Sequence, residues 1–337
     1  MLTKETPAVG EAGGNAAVMC GIGAALPPTA VSNAELCAHL DTTDEWIHAR
    51  TGIAQRHIAG PDLSTQDLAV RAAAKALAGY GPGPVHAVVL ATTTPDRCCP
   101  ATAPAVATRL GLTGVPAFDL AAGCTGFLYA LATAAGLITS RAADTVLVIG
   151  ADRLSTLPAP NDRTTVPLFG DGAGAVILRR GEASEDGSLG PVVLGSDGTH
   201  ADLIRAAQPG DLRLEGSEVF RHAVDRMTFV ATQAVAAASW RMDDVDRLVP
   251  HQANARITSF VARQLAVPDT RQLHNIDSVG NTGAASIPLL LAQAAADGRL
   301  KAGHRVLLTA FGAGLTWGAT TLTWPEMSSD PRPTETP

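Results

Sequence analysis

The chain has 337 residues, of which 46% are apolar and 17% charged, and its formal net charge is −7. This composition is typical of a globular protein, and the length suffices for two domains or for two halves of one large domain. The negative charge argues against nucleic acid as a partner. Since no apolar run approaches the ~20 residues that cross a bilayer, a membrane partner is not expected either.

The apolar stretch Ala16–Leu26 follows no basic segment and contains glycines, so it predicts a first strand rather than a signal peptide. Five cysteines without C-x-x-C spacing indicate neither a disulfide framework nor a zinc site. We therefore expect a cytoplasmic protein without a metal or an organic cofactor.

Predicted helices and strands then alternate along the first half of the chain. They are a helix at Ser64–Leu77, strands at Val85–Thr92 and Ala117–Leu120, a helix at Phe127–Leu137 and a strand at Asp144–Ile149. The first of these helices opens with a capping-box spacing. Such alternation is typical of βαβ units and predicts a largely parallel sheet.

A weak internal repeat relates two parts of the chain. The sequence A-F-D-L-A-A-G-C-T-G around Cys124 and the sequence N-I-D-S-V-G-N-T-G around Asn281 each predict a strand that passes through a glycine turn into an apolar helix. A second pairing sets V-H-A-V-V-L-A-T-T beside V-D-R-L-V-P-H-Q. Repeats this long predict two similar halves, 1–185 and 186–326, rather than a solenoid. The Pro-, Ser- and Thr-rich segment 327–337 predicts a disordered tail.

Three polar residues are candidates for chemistry. Cys124 stands at the predicted start of a helix, where unpaired N–H groups and the positive end of the dipole favour a thiolate nucleophile. His251 follows a predicted strand at Arg247–Val249. A free cysteine is more often a small buried side chain, and Asn281 could simply cap its helix. All three, however, would lie at the carboxyl ends of strands, where ligands bind, and this convergence predicts a catalytic site.

Two glycine-rich segments superficially resemble nucleotide-binding loops: F-G-D-G-A-G-A (Phe169–Ala175) and F-G-A-G-L-T-W-G (Phe311–Gly318). Predicted strands follow both segments, whereas a dinucleotide site needs a helix that receives the phosphate. The sequence therefore excludes that site. It favours backbone that approaches a ligand closely, with N–H groups available to an oxyanion.

Six motifs, in order, resemble those of the β-ketoacyl-acyl carrier protein synthase III family of the thiolase superfamily. They are T-D-E-W-I-H-A-R-T-G-I, A-A-G-C-T-G, F-G-D-G-A-G-A, V-P-H-Q-A-N-A-R-I, V-G-N-T-G-A-A-S-I-P and F-G-A-G-L-T-W-G. The resemblance covers nearly the whole chain. It implies an α/β thiolase fold, with two pseudo-repeated halves in five layers, α-β-α-β-α, and a homodimer.

The resemblance also implies an acyltransferase that initiates fatty acid or polyketide synthesis. Cys124 would take an acyl group from acyl-CoA, which is a substrate rather than a cofactor. His251 and Asn281 would donate hydrogen bonds to the thioester oxygen of malonyl-acyl carrier protein while carbon dioxide leaves. Backbone N–H groups of Cys124 and Ala313 would form the oxyanion hole, and the family usually has Gly at the latter position.

Substrate contacts follow from the same resemblance. They are Trp46, Arg50, Thr51, Arg163 and Asn254 for CoA; Cys99, Phe169, Leu214 and Phe311 for the acyl chain; and Arg221, Arg256 and Arg263 for the acidic carrier protein. Cys99 replaces the Phe with which acetyl-selective members close the acyl pocket of the neighbouring subunit, so longer or branched starters are expected. The segment His200–Leu214, which covers the acyl tunnel, is shorter than in housekeeping members and predicts a differently shaped site.

Two alternative functions are weighed against this condensing enzyme. One is an acyltransferase of secondary metabolism that forms an ester or amide, or transfers a starter unit, without decarboxylation. Members of that kind often replace the His or the Asn, whereas this chain keeps both. The other alternative is a non-catalytic ketosynthase partner, and such proteins lack the nucleophile that Cys124 provides.

Overall fold

The computed structural model describes residues 15–327 of the chain. Its strands are β1 (Ala16–Ala25), β2 (Ala30–Ser32), β3 (Gln55–His57), β4 (Ala87–Ala91), β5 (Ala117–Leu120), β6 (Thr145–Arg153), β7 (Asp171–Gly181), β8 (Val193–Ser196), β9 (Ile204–Arg205), β10 (Arg213–Leu214), β11 (Arg247–Pro250), β12 (Arg305–Gly312) and β13 (Thr316–Thr323). Its α-helices are α1 (Asn33–Cys37), α2 (Asp44–Thr51), α3 (Thr65–Tyr80), α4 (Ala103–Arg109), α5 (Gly126–Thr139), α6 (Gly216–Ala237), α7 (Ala255–Gln264), α8 (Ile276–Val279) and α9 (Ser286–Ala296). Within 15–327, no helix is long and apolar enough to cross a membrane. The tail predicted at 327–337 lies outside the described residues, apart from Met327.

Two sheets with the same topology form the centre of the molecule. Sheet I has the strand order β1-β7-β6-β4-β5, and sheet II has the order β8-β13-β12-β11. One parallel bridge from Gln272 to Leu248 extends sheet II at the position that β5 occupies in sheet I. This correspondence is the duplication that the sequence repeat predicts. The boundary predicted between 185 and 186 falls in the connection from β7 to β8 and stays a prediction.

The expectation of a largely parallel sheet is wrong. Strand β7 is antiparallel to β1 and β6, and β13 is antiparallel to β12 and β8. The chain reverses between β12 and β13 through a short turn, and it enters β7 from β6 through 154–170, which contains 3-10 turns but no α-helix. A parallel pairing needs a crossover connection, which neither of these links provides.

Helices α5 and α9 lie between the two sheets. Leu131 of α5 and Leu290 of α9 belong to one apolar cluster with Val148 of sheet I and Leu308 of sheet II. Helices α3 and α4 cover the outer face of sheet I, and α6 and α7 cover the outer face of sheet II. The layers therefore run α-β-α-β-α, which confirms the predicted arrangement.

Helix α3 illustrates how the local sequence sets an element. The Ser64 hydroxyl accepts a hydrogen bond from the Asp67 N–H (3.1 Å), and the Asp67 carboxylate accepts one from the Ser64 N–H (2.9 Å), so the predicted capping box is present. Four of the six buried residues of α3 are alanines, among them Ala72. A Cβ at Gly23 of β1 would lie 2.3 Å from the Ala72 carbonyl oxygen. Small residues on both elements thus allow close packing in a chain with few aromatic side chains.

Gly136→Ala is expected to stabilise the protein. Gly136 is an exposed residue of α5, and a Cβ there would have no atom within 4 Å. Alanine in a helix interior is favoured over glycine by about 1 kcal/mol, so the free energy of unfolding in denaturant should rise by about that amount. Gly126→Ala, in the same helix, should show no gain, because its Cβ would lie 3.0 Å from the Ala91 Cβ.

Candidate active site

A cavity of about 640 Å³ opens where the two halves of the molecule meet. Its wall includes Cys124, His251 and Asn281, which the chain supplies from three distant segments. Cys124 follows β5 and precedes α5, His251 follows β11, and Asn281 lies ahead of α9. The structure therefore brings together the three residues that the sequence singles out.

The loop that carries Cys124 packs against the turn between β12 and β13. A Cβ at Gly312 would lie 2.6 Å from the backbone nitrogen of Cys124, and a Cβ at Gly123 would lie 2.8 Å from that of Ala313. The Thr316 hydroxyl lies 2.9 Å from the Ala122 carbonyl oxygen and 3.0 Å from that of Ala313. Glycine allows the two backbones to approach this closely. The N–H groups of Cys124 and Ala313 thus belong to adjoining segments, while their role as an oxyanion hole stays a prediction.

The environment of the Cys124 sulfur differs from the expected one. Burial and, to a smaller extent, the Asp152 carboxylate together raise the pKa of its thiol to about 12, against the opposing effect of the Cys124 backbone N–H. The cysteine at the start of a helix was expected to be a thiolate. Desolvation exceeds the stabilisation that the backbone N–H gives. The raised pKa favours the protonated thiol, so a reaction at the Cys124 sulfur has to remove a proton.

His251 is a neutral imidazole inside the cavity. The residue is 1% exposed, its backbone N–H donates to the Thr309 carbonyl oxygen (2.8 Å), and neither ring nitrogen has a hydrogen-bond partner within residues 15–327. Burial lowers the pKa of the ring to about 3. A neutral ring carries one donor and one acceptor nitrogen, so His251 offers a substrate both functions.

The depressed pKa of His251 predicts a pH-dependent stability. Below the unfolded pKa of about 6.5, the unfolded chain binds a proton that the buried ring does not, so stability falls as the pH drops from there towards 3. Relative to His251→Asn, the wild-type free energy of unfolding should decrease by about 2 kcal/mol between pH 7 and pH 5. Denaturant titrations of both proteins at the two pH values measure this difference. Parallel pH dependences would contradict it.

Asn281 is held in one orientation by its surroundings. Its side-chain oxygen accepts a hydrogen bond from the Gly283 N–H (3.0 Å), and its backbone pairs with Leu168 and Gly170 (2.8 and 3.0 Å). Its Nδ2 has no hydrogen-bond partner in the described part of the chain. The amide nitrogen is therefore the group that can donate to a ligand. One expectation is wrong here: the helical turn α8, rather than a strand, precedes Asn281, since the chain meets sheet II only at Gln272.

The predicted CoA contacts gather at one side of the cavity. Trp46, Arg50, Thr51 and Asn254 line it. Arg163 does not line it, but its guanidinium lies 5.9 Å from the centre of the Trp46 ring, and that of Arg50 lies 5.4 Å away. The Thr51 hydroxyl already bonds within the chain, to the Ile47 carbonyl oxygen (2.7 Å). Asn254 donates to the Arg50 carbonyl oxygen (3.0 Å) and so connects α7 to α2.

Of the residues predicted for the acyl chain, Phe169, Leu214 and Phe311 line the cavity, whereas Cys99 lies exposed on the surface of the same chain and does not. The sequence prediction missed Ile204, Ala223 and Met227, which also line it. Ala223 and Met227 belong to the buried face of α6, and an apolar helical periodicity does not reveal which buried positions face a ligand.

The three arginines predicted for the carrier protein differ in their surroundings. Arg256 lines the cavity mouth, with its guanidinium 5.6 Å from the Phe220 ring, and Arg263 lies over Phe260 at 4.7 Å. Neither forms an ion pair within residues 15–327. Arg221, by contrast, pairs with Glu218 at 2.6 Å.

Comparison with known proteins identifies a family. The family model for 3-oxoacyl-[acyl-carrier-protein (ACP)] synthase III matches residues 118–198, and the model for the C-terminal part of this synthase matches residues 235–324. "Beta-ketoacyl-[acyl-carrier-protein] synthase III 3" of Streptomyces coelicolor is 56% identical over 327 residues, which cover 92% of this chain and 98% of that protein.

Solved structures agree with the sequence comparison. A crystal structure of 3-oxoacyl-(acyl carrier protein) synthase III from Pseudomonas aeruginosa PAO1 matches with a TM-score of 0.91 at 51% identity, covering 93% of this chain and 99% of that one. The corresponding enzyme from Aquifex aeolicus VF5 gives 0.88 at 40% identity, with 91% and 100% covered. The resemblance and the thiolase fold predicted from the sequence are thereby confirmed. This chain belongs to the β-ketoacyl-acyl carrier protein synthase III family of acyltransferases.

Proposed function

We propose that this protein catalyses the decarboxylative condensation of an acyl-CoA starter with malonyl-acyl carrier protein, which gives 3-oxoacyl-acyl carrier protein, carbon dioxide and CoA. Membership of the synthase III family supports this reaction, which initiates fatty acid or polyketide synthesis. The observation that carries it is the convergence of Cys124, His251 and Asn281 on one cavity.

In the first step, the Cys124 sulfur attacks the thioester carbon of acyl-CoA. A new C–S bond forms to Cys124, the bond to the CoA sulfur breaks, and the thiol proton ends on the departing CoA. The acceptor nitrogen of neutral His251 is the group of the cavity that we assign to carry this proton. The N–H groups of Cys124 and Ala313 stabilise the negative charge on the carbonyl oxygen.

In the second step, malonyl-acyl carrier protein replaces CoA. Its bond to the carboxylate breaks, and the electron pair passes into an enolate whose oxygen accepts hydrogen bonds from His251 and Asn281. The enolate carbon attacks the acyl group, the bond to Cys124 breaks, and the cysteine thiolate takes up a proton from solvent. The lowered pKa of His251 suits this step, because the ring is already neutral and can donate its N–H to the enolate without first losing a proton.

The mouth of the cavity fits the two carriers of the substrates. Trp46, flanked by Arg50 and Arg163, offers an aromatic face and two positive charges to the adenine and phosphates of CoA. Arg256 and Arg263, without carboxylate partners among the described residues, are suited to the acidic carrier protein. Arg221 is a weaker candidate, because Glu218 already offsets its charge.

We further propose a homodimer that is formed through sheet I. Strand β5 is the last strand of that sheet, and its Phe118 is 36% exposed. An edge strand with an exposed aromatic side chain is suited to pairing with a second copy. Such a dimer places the exposed segment around Cys99 against the partner, where this residue can close the partner's acyl cavity. Cytoplasmic location stays a prediction.

Cys99→Phe is therefore expected to narrow the range of starters. If Cys99 faces the partner's cavity, the phenyl ring of the variant takes up space there. The longest acyl chain that can be transferred to Cys124 should then become shorter by about two carbons or more, because the ring displaces that part of the chain. Intact-protein mass spectrometry after exposure to acyl-CoAs of graded length measures the limit. Cys98→Phe, at the neighbouring exposed position, is the control. An unchanged limit in Cys99→Phe would contradict this arrangement.

The experiment that tests the function follows the acyl group. Wild-type protein is exposed to acyl-CoAs of graded length and weighed, and each acyl-enzyme is then mixed with malonyl-acyl carrier protein. An adduct that passes to the carrier with loss of carbon dioxide is the expected result. An adduct that never condenses would instead indicate an acyltransferase with another acceptor, and no adduct with any donor would indicate a non-catalytic partner.

A further inference from the structure

Asp152 is a carboxylate buried beneath the active-site cavity, and the mechanism above gives it no role. It lies near the carboxyl end of β6 and is 0% exposed. Within residues 15–327, all its hydrogen-bond partners are uncharged groups. Burying a carboxylate without a cationic partner is costly, so an arrangement of this kind indicates a specific purpose.

The carboxylate connects the ends of two strands of sheet I. Its Oδ1 accepts hydrogen bonds from the N–H and hydroxyl of Thr93 (2.7 and 2.9 Å) and from the hydroxyls of Thr92 (3.2 Å) and Thr94 (3.1 Å). These threonines directly follow β4. Burial raises the pKa of the Asp152 carboxyl, and the hydrogen bonds from Thr93, Ala284 and Thr94 oppose that effect. The net shift is upward, because desolvation of the buried carboxyl outweighs the stabilisation that these donors give.

The other oxygen reaches the second half of the molecule. Oδ2 accepts a hydrogen bond from the Ala284 N–H (2.8 Å), in the turn that leads into α9. A Cβ at Gly283 would lie 2.3 Å from Oδ2, so this backbone rests directly on the carboxylate. The Gly283 N–H is the group that holds the side-chain oxygen of Asn281. The N–H that binds the carboxylate and the N–H that orients the Asn281 amide thus belong to adjacent residues, Ala284 and Gly283.

The turn that the carboxylate holds also contacts the start of α5, two residues after Cys124. A Cβ at Gly126 would lie 3.0 Å from the Ala91 Cβ and 3.4 Å from the Ala284 Cβ. The Gly283–Ala284 turn therefore packs against the helix that follows Cys124.

We propose that Asp152 is a positioning residue of the condensation, which aims the Asn281 carboxamide through the Gly283–Ala284 turn. The inference rests on the proposed function. When malonyl-acyl carrier protein arrives, the held turn gives the Asn281 donor its direction.

Asp152→Asn separates this role from simple structural support. The variant removes the charge and places an NH2 group against N–H or O–H donors. Release of carbon dioxide from malonyl-carrier protein by the pre-acylated enzyme should fall at least about tenfold, while formation of the acyl adduct changes less than about threefold.

Asp171→Asn is the matched control. Asp171 is also fully buried and accepts hydrogen bonds from the N–H groups of Ala59 (2.8 Å) and Ser155 (2.9 Å), but it has no hydrogen bond to the Gly283–Ala284 turn. Its variant should lose stability without changing the ratio of the two steps. Should Asp152→Asn fail to fold, Gly283→Ala provides a second test, because its Cβ displaces the turn while Asp152 itself is kept.

Three outcomes decide the matter. A selective loss of decarboxylation supports the proposal. Equal losses of both steps overturn it in favour of a purely structural carboxylate, and so does a variant that behaves as wild type. Failure of the wild-type protein to form an adduct would refute the proposed function instead, so the two failures are distinguishable.

Discussion

Cys124→Ala should abolish the acyl adduct and lower the rate of condensation by at least about a thousandfold. The variant removes the atom to which the acyl group is transferred, and the structure offers no second thiol in the cavity wall. His251 and Asn281, the groups proposed to stabilise the enolate, remain. Release of carbon dioxide from malonyl-acyl carrier protein alone should therefore persist in the variant. Intact-protein mass spectrometry and a carbon dioxide assay measure the two effects separately.

Cys20→Ala is the control for the loss of a thiol. Cys20 lies half-buried in β1, where its sulfur lies 3.6 Å from the Ile177 carbonyl oxygen, and burial raises the pKa of its thiol to about 11. This variant should keep the adduct and the condensation. An adduct on Cys124→Ala, or its loss in Cys20→Ala, would place the nucleophile elsewhere.

Asn281→Ala should show the opposite division of effects. The side-chain oxygen of Asn281 accepts a hydrogen bond from the Gly283 N–H, so the amide nitrogen remains as a donor for a ligand. Without it, the enolate loses one of two side-chain donors, and loss of one such donor lowers rates by about 100- to 1000-fold. Carbon dioxide release should fall by that factor, while the acyl adduct on Cys124 still forms. Single-turnover measurements on pre-acylated protein detect this split.

Asn275→Ala controls for the loss of a buried amide. Asn275 is buried beside α8, and its amide donates to the Gln293 side chain (2.6 Å) rather than into the cavity. Its removal should lower stability and leave the ratio of adduct formation to decarboxylation unchanged. If both variants lowered decarboxylation alike, Asn281 would have no special place in the second step.

Much of this architecture could be predicted from the sequence, because its signals are local. The capping box at Ser64, the β-branched run of β4 and the glycine turn at Cys124 each depend on a few neighbouring residues. The repeat around Cys124 and Asn281 indicated the duplication. The family motifs then indicated the fold and the site residues, of which Cys99, Arg163, Arg221, Arg263 and Ala313 do not line the cavity of the single chain.

What the sequence could not predict depends on contacts between distant residues. A fully buried strand such as β7 has the same apolar run whichever way its neighbours point, so its antiparallel pairing was missed. In the sequence, Asp152 looks like an ordinary acidic residue at the end of a strand. Only the fold brings Thr93 and Ala284 within hydrogen-bond distance of its carboxylate. The raised pKa of Cys124 likewise follows from burial, which no local pattern of residues measures.

The packing of Gly312 against Cys124 also bears on how the protein folds. The hydrogen bond from the Thr316 hydroxyl to the Ala122 carbonyl oxygen joins residues that are 194 positions apart. Strands β1 and β7, which lie at opposite ends of the first half of the chain, also pair with each other. Contacts of such long range form late, because the loops they close cost entropy. The nucleophile therefore has its complete surroundings only after the C-terminal hairpin has docked. Reactivity towards acyl-CoA should accordingly be the last property to return when the denatured chain refolds.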